Sequence, residues 1–281
     1  MTDSISKKLI SLITNSGGMK YKGVIFAFGA NSTIKCLEPL RRGEVSGFDE
    51  VREVEPSDSC SLYKHFGEDR NLIYEANLRP VECRRDHKKI LLCPTRATVL
   101  NEEPGSAKRR IKAYSVQSEK SISIGYVGSN KTEYSTGDII LPSVGVCSGI
   151  LLEHLGEEDH FAAGIVDVDI ADEIKFLLTK DHVEYRHGCA IMSVADYQDS
   201  VNRGAESMWM QGFSGRDMET AWFLGYSRRI GKPAASILVV SDFAGDGNLK
   251  DPKKSKPLEL SQKAEDSMGI VLKTAIEALF L

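Results

Sequence analysis

Two dipeptides have the residue types to do chemistry together: Met218-Glu219, where a helical pattern begins, and Ser241-Asp242, where a strand pattern ends. Between them lie one helix, running to about Ile230 and closed by Gly231 and Pro233, and one strand, Ala235 to Val240. A helix start and a strand end in that relation can face one rim, so Glu219 and Asp242 can meet across a single cavity. Two carboxylates so placed can divide acid–base labour, one accepting hydrogen bonds and the other handling a proton. An exposed aspartate is ionised near neutral pH, so proton delivery by Asp242 requires desolvation or a neighbouring anion to raise its pKa. Taken alone, Met218-Glu219 is also what any helix start favours, since an acid in the first turn meets the positive end of the dipole.

The elements that must position these groups follow a strand–helix rhythm. Gly23 to Gly29 is a short apolar run opening into a loop, Lys89 to Cys93 a second strand, Ser106 to Val116 a basic helix, and Ser121 to Gly125 a strand running into Tyr126 and Gly128. Asp138 to Pro142 and Cys189 to Ser193 read as strands, while Asp169 to Leu178 and roughly Ser261 to Leu281 read as amphipathic helices. This pattern predicts an α/β fold: one domain over residues 1–281, with a mixed, mainly parallel twisted sheet flanked by helices and its site along one rim. Residues 1–18 form an expected N-terminal helix, with Ile5, Leu9, Leu12 and Ile13 on one face. Residues 41–89 are a charge-dense, insertion-like stretch of irregular structure and short edge strands, one of them over Asn71 to Glu75. Gly245 to Pro257, rich in Gly, Lys, Asp and Pro, reads as a loop.

Composition narrows the partners. Acidic residues outnumber basic ones 40 to 36, for a net charge of -4, so no global field recruits a nucleic-acid polymer or an anionic membrane, and a small ligand is favoured. The six cysteines show no C-x-x-C pair, which fits reduced thiols in a cytoplasmic protein, and no metal site is expected. His154 and His160, in a Glu-rich stretch, read as surface groups. No apolar run is long enough to span a membrane.

Gly215-Arg216-Asp217-Met218-Glu219-Thr220-Ala221, followed after a helix and a strand by Ser241-Asp242, resembles the paired signature of the nucleoside phosphorylase and nucleosidase superfamily. Ile124-Gly125-Tyr126-Val127-Gly128, Gly137-Asp138-Ile139-Ile140 and Ser193 to Tyr197 match further segments in the right order. The resemblance covers roughly Lys120 to Leu281 well and Gly23 to Leu37 weakly. It implies that Glu219 holds ribose hydroxyls, that Met218 packs on the sugar, that Tyr197 stacks on the base, and that Gly125 and Tyr126 lie beside base and sugar. Ser241 and Asp242 would face the base, with Asp242 as the acid. The reaction implied is cleavage of the N-glycosidic bond of a purine nucleoside or nucleotide, in a homo-oligomer and without a cofactor. Breaking that bond develops oxocarbenium character on the ribose and negative charge on the base, which is why one carboxylate on the sugar and one acid at the base suit it.

The nucleophile site departs from the family. Where phosphorylases of this type carry an arginine after the first strand's glycine, Gly29-Ala30-Asn31-Ser32-Thr33 has Thr33. Ser123 replaces a second arginine, and Tyr126 a small hydroxyl residue. Without two guanidinium forks a phosphate dianion loses its bidentate donors, so water is slightly preferred as nucleophile and inorganic phosphate is the one candidate co-substrate. Gly29, Thr33 and Arg96, with Lys35, are the residues left to form an anion or nucleophile site. Water-using relatives place a glutamate after the first strand, yet no carboxylate occurs between Gly23 and Leu37, so an activator would come from elsewhere, such as Asp217. The alternative is a nucleoside-binding or structural relative that has lost turnover.

Overall fold

The computed structural model describes residues 20–28, 37, 39–40, 42, 47–54, 79–95, 107–129, 133–156, 159–195, 212–243 and 262–281, with the backbone alone at 150, 242 and 243. The expected N-terminal helix, the strand over Asn71 to Glu75, Gly29, Thr33, Lys35, Arg96, Tyr197 and the loop from Gly245 to Pro257 lie outside the described residues. In the N-terminal half the elements are β1 (Tyr21–Ala27), β2 (Glu50–Glu53), β3 (Val81–Arg85), β4 (Lys88–Pro94), α1 (Ala107–Ser115) and β5 (Ser118–Ser129). They continue with β6 (Ile139–Cys147), α2 (Gly149–His154), β7 (Ala163–Ile165), α3 (Val168–Lys180) and β8 (Tyr185–Ser193). The last are β9 (Gly215–Asp217), α4 (Thr220–Arg229), β10 (Ala234–Phe243) and α5 (Gln262–Phe280).

The fold is α/β with a mixed sheet, and its long ladders are parallel: β1 with β4 and β5, β5 with β10, β6 with β8. Strand order is β10-β6-β8-β9-β5-β1-β4-β3-β2, and β10 also pairs with β5. Five strands, β5, β10, β6, β8 and β9, therefore close into a ring, while β1, β4, β3 and β2 extend from β5 as an open wing. The antiparallel contacts of the ring are short ones, β10 with β6 and β5 with β9. Alternation along the strands separates two cores. Ile122, Ile124, Ile237 and Val239 join the main core, whereas Val127, Leu238 and Val240 pack with Ile140, Cys189 and Ile191 of the ring strands, and with Tyr134 from the segment before β6, in a second cluster. Cys83, Cys93, Cys147 and Cys189 are buried and unlinked. Among the described residues no helix is long and apolar enough to cross a membrane.

In the charge-dense stretch, β3 pairs antiparallel with β4, and β2 pairs antiparallel with β3. Their residues show no apolar alternation on β2 because β2 is an edge strand, and its charges pair across strands: Arg52 with Glu82, Arg84 with Glu50. Arg85 ties this wing to the C-terminal helix. Its guanidinium makes two 2.8 Å hydrogen bonds to Glu277, and it lies over the rings of Phe48 and Phe280 at 5.1 and 4.5 Å. The Arg85 contact holds the Glu277 carboxyl below the ordinary glutamate range. A carboxyl lowered by folding contributes stability that is fully present above its unfolded pKa and is lost as pH falls through the folded value. Glu277→Gln is therefore expected to flatten the acid limb of a melting-temperature profile below about pH 4.3, and an unchanged limb would contradict this coupling.

Helix α4, which starts at the Met-Glu dipeptide, rests on glycines. Gly145 of β6 and Gly164 of β7 are cross-strand partners, and a Cβ on them would fall 2.7 Å from the Ala221 backbone and 2.4 Å from Gly225 N. The aromatics of α4 pack as well: its own Trp222 and Tyr226 stack at 5.2 Å, and its Phe223 meets Phe26 and Phe28 edge-on. Gly231, at φ +68°, ends the helix in the left-handed conformation expected after its last turn. Because backbone rather than a flexible side chain opposes the missing Cβ, Gly164→Ala should cost about 3 kcal/mol. Urea unfolding measures this, and an unshifted midpoint would mean that the helix can move away.

Candidate active site

Strand β5 organises the site because its neighbours change along its length. On one edge the ladder to β1 ends at Ile124, and the ladder to β9 begins at Gly128. Gly125, Tyr126 and Val127 lie in the interval between these two neighbours. Beyond the ladder, Phe28 still donates its N–H to the Ile124 carbonyl at 2.8 Å. On the other side of the interval β9 leads through Asp217 into Met218 and Glu219. On the opposite edge of β5, β10 pairs Asp242 with Gly128, across a bulge that sets Ser241 out of register. Gly128 is thus flanked by Asp242 on β10 and by Arg216 on β9, so the segments carrying both predicted carboxylates are joined at the end of one strand.

Glu219 is 6% exposed and occupies the N-cap position of α4, but its side chain does not cap the helix. That work is done by Asp217 and by Ser193 at the end of β8. Asp217 accepts the Thr220 N–H at 3.0 Å and the Ser193 hydroxyl at 2.6 Å, one on each oxygen, and Ser193 Oγ in turn accepts the Ala221 N–H at 2.9 Å. Two of the orphan amides at the helix start are satisfied in this way. Burial pushes the Asp217 carboxyl above the ordinary aspartate range, against the lowering effect of the bonds from Ser193 and Thr220. Both Asp217 oxygens are thus hydrogen-bonded inside the protein. Cys147, the β6 partner of Ser193, is also buried, and burial, with the Asp217 charge beside it, pushes its thiol up to about 12, so it stays a thiol rather than a nucleophilic thiolate.

The other predicted residues fall as follows. Met218 is half-buried and donates its N–H to Glu219 Oε2 at 3.3 Å. Ser241 is half-buried, with its hydroxyl 3.4 Å from the Val127 carbonyl. Gly125 is buried under Phe28, where a Cβ would fall 3.3 Å from the Phe28 Cβ, so its lack of a side chain leaves room for Phe28 as the β1–β5 ladder ends. Tyr126 is half-buried and packs against the main core. Ser123 is fully buried, and its hydroxyl lies 2.6 Å from that of Ser236 on β10. Gly29 and Arg96 follow strands that end side by side, since Thr95 donates its N–H to the Ala27 carbonyl at 2.9 Å. His154 and His160 are exposed, but Asp159 beside them is buried, paired with Lys108 and Lys112 at 2.6 and 2.7 Å.

Sequence reasoning missed the role of Ser193 and the cap formed by Asp217. The available signal was local: an aspartate three residues before a threonine at a helix start is an N-cap pattern. Nothing in the sequence marked Ser193 as its partner, because a strand ladder brings the two together.

The chain belongs to the phosphorylase superfamily, whose family model matches residues 109–277. Among solved structures it is similar to the purine nucleoside phosphorylase of Toxoplasma gondii in complex with immucillin-H, at 16% identity and a TM-score of 0.64, with 92% of each chain covered. It is similar to the uridine phosphorylase of Vibrio fischeri ES114 at 17% identity and a TM-score of 0.65, again over 92% of each chain. The 5'-methylthioadenosine/S-adenosyl homocysteine nucleosidase of Campylobacter jejuni aligns at 12% identity and a TM-score of 0.62, over 92% of this chain and 98% of that one. At these identities the likeness is one of fold. No curated protein matches the chain.

Proposed function

We propose that this protein cleaves the N-glycosidic bond of a purine nucleoside or nucleotide, with water slightly preferred over phosphate as the nucleophile. The observation that carries the reading is the junction at Gly128, which ties the Asp242 segment and the β9–Glu219 segment to one strand end beside the Gly125–Val127 interval. In this reading Glu219 and Met218 hold the ribose, Tyr126 and Tyr197 flank the base, and Ser241-Asp242 face its leaving atoms. The preference for water is supported by Ser123. The position where phosphorylases of this type carry an arginine is a buried hydroxyl bonded to Ser236, with no cation to offer a dianion. Gly29, Thr33 and Arg96 remain the candidates for holding the nucleophile. Incubation with adenosine, inosine and AMP, with and without phosphate, tests the reading. Free base with ribose, or with ribose 5-phosphate from AMP, formed at equal rates in both conditions is expected; a sugar 1-phosphate appearing only with phosphate would reverse the preference, and no base in either would remove the enzyme.

The same buried Ser123 favours the second reading, a nucleoside-binding relative without turnover. Calorimetry would then find binding with no base released. The resemblance also implies a cytoplasmic homo-oligomer, and Ile165, Val168 and Phe176 are exposed apolar side chains that such an assembly could cover. Sedimentation tests that, and a monomer at micromolar concentration would contradict it.

A further inference from the structure

We propose that Ser193 and Asp217 form a positioning brace that sets the Glu219 carboxylate for its ligand, a role that rests on the reading of Glu219 as the ribose-holding group. An N-cap residue commonly spends its side chain on the amides of the first turn. At α4 the N-cap is Glu219, and the amides are served from outside: Thr220 N–H by Asp217, two residues upstream, and Ala221 N–H by Ser193, from the neighbouring strand. The 2.6 Å bond from Ser193 to Asp217 joins the two caps into one unit. Both residues are buried, and the strand register sets them opposite one another, Ser193 on β8 and Asp217 on β9. Sideways movement of α4 is blocked where its backbone rests on Gly145 and Gly164. Its first turn is therefore anchored by hydrogen bonds and its body by close packing, and Glu219 stands at the junction of the two. The brace relieves Glu219 of capping duty and fixes the backbone from which its carboxylate extends.

Geometry of this kind matters because a misplacement of about 1 Å can cost roughly 100-fold in rate. Ser193→Ala removes the shared atom: one donor to Asp217 and one acceptor for Ala221. It is expected to raise KM for the nucleoside, or its Kd, about 10- to 100-fold, and to speed hydrogen exchange at the Thr220 and Ala221 amides. Asp217→Asn keeps the side-chain shape, reverses the Ser193 contact, and should give a smaller rise. The double variant should bind no worse than Ser193→Ala alone, because both changes act on one unit. If Ser193→Ala does not fold, Asp217→Asn carries the test. Arg85→Ala is the control for lost stability, since it loosens the fold away from the site and should lower the melting temperature without moving KM. A wild type that binds nucleoside beside a Ser193→Ala protein with unchanged KM overturns the brace alone. So does a rise in KM matched by Arg85→Ala, which would mark a general effect of stability. A wild type that neither binds nor cleaves nucleosides overturns the functional reading, and the brace's role toward a ligand with it.

Discussion

Glu219→Ala is expected to lower kcat/KM for nucleoside cleavage by about 100- to 10,000-fold, the loss of two charge-assisted hydrogen bonds worth about 1.5–3 kcal/mol each. A carboxylate holding vicinal ribose hydroxyls can accept from both, and a buried carboxylate at a helix start does so with its backbone already ordered. Glu219 is 6% exposed, so the alanine leaves a cavity that water fills poorly and the sugar hydroxyls face no partner. Glu219→Gln keeps the shape and one acceptor, and should recover part of the loss. Steady-state kinetics on adenosine or inosine, with calorimetry where turnover is too slow, measures both variants. A Glu219→Ala protein within threefold of wild type would mean that another group grips the ribose. Melting temperature should change little, because the helix caps are Asp217 and Ser193 rather than Glu219.

Asp242→Asn should have an effect of similar size but a different signature. General acid catalysis contributes about 100- to 10,000-fold, and asparagine can hydrogen-bond the base but cannot deliver a proton to it. The loss should therefore fall on kcat with KM nearly unchanged. It should shrink for a riboside whose leaving group is already a good one, such as p-nitrophenol, because that group departs without protonation. An acid that must be protonated to act makes the rate fall as pH rises through its pKa in the complex, and Asp242→Asn should remove that limb. Equal losses on both leaving groups would assign Asp242 to binding instead.

Several parts of this arrangement were legible because they depend on neighbours in the chain. The apolar run at Gly23 to Gly29, the alternation around Ser121 to Gly125 and the spacing of Ile170 and Ile174 all mark elements that the fold contains, in β1, β5 and α3. Gly231 and Pro233 marked the end of α4, where Gly231 sits at φ +68°. The elements that were missed, α2, β7 and β9, are short. Three residues of strand cannot show a period, and both β7 and β9 exist through their ladder partners, β6 for the one and β5 and β8 for the other. In the charge-dense stretch an edge strand and its pairing partner carry charges where a buried strand would carry valines, so β2 and β3 gave a weak strand signal.

The candidate site divides along the same line. The chemical types, a carboxylate at a helix start and another at a strand end, are properties of the sequence, since Met218-Glu219 and Ser241-Asp242 stay at those ends whatever the sheet does. Their common relation to Gly128 is a property of the closed ring, because it depends on β5 having β10 on one edge and β9 taking over from β1 on the other. The use of Asp217 is tertiary too. In the sequence it is one acid among 40, and only the strand register that sets it opposite Ser193 at a helix start lets it bond both that hydroxyl and the Thr220 N–H. Local spacing determines which groups exist and which element ends carry them; strand register determines which of those ends meet, because hydrogen-bonded ladders join residues far apart in the chain.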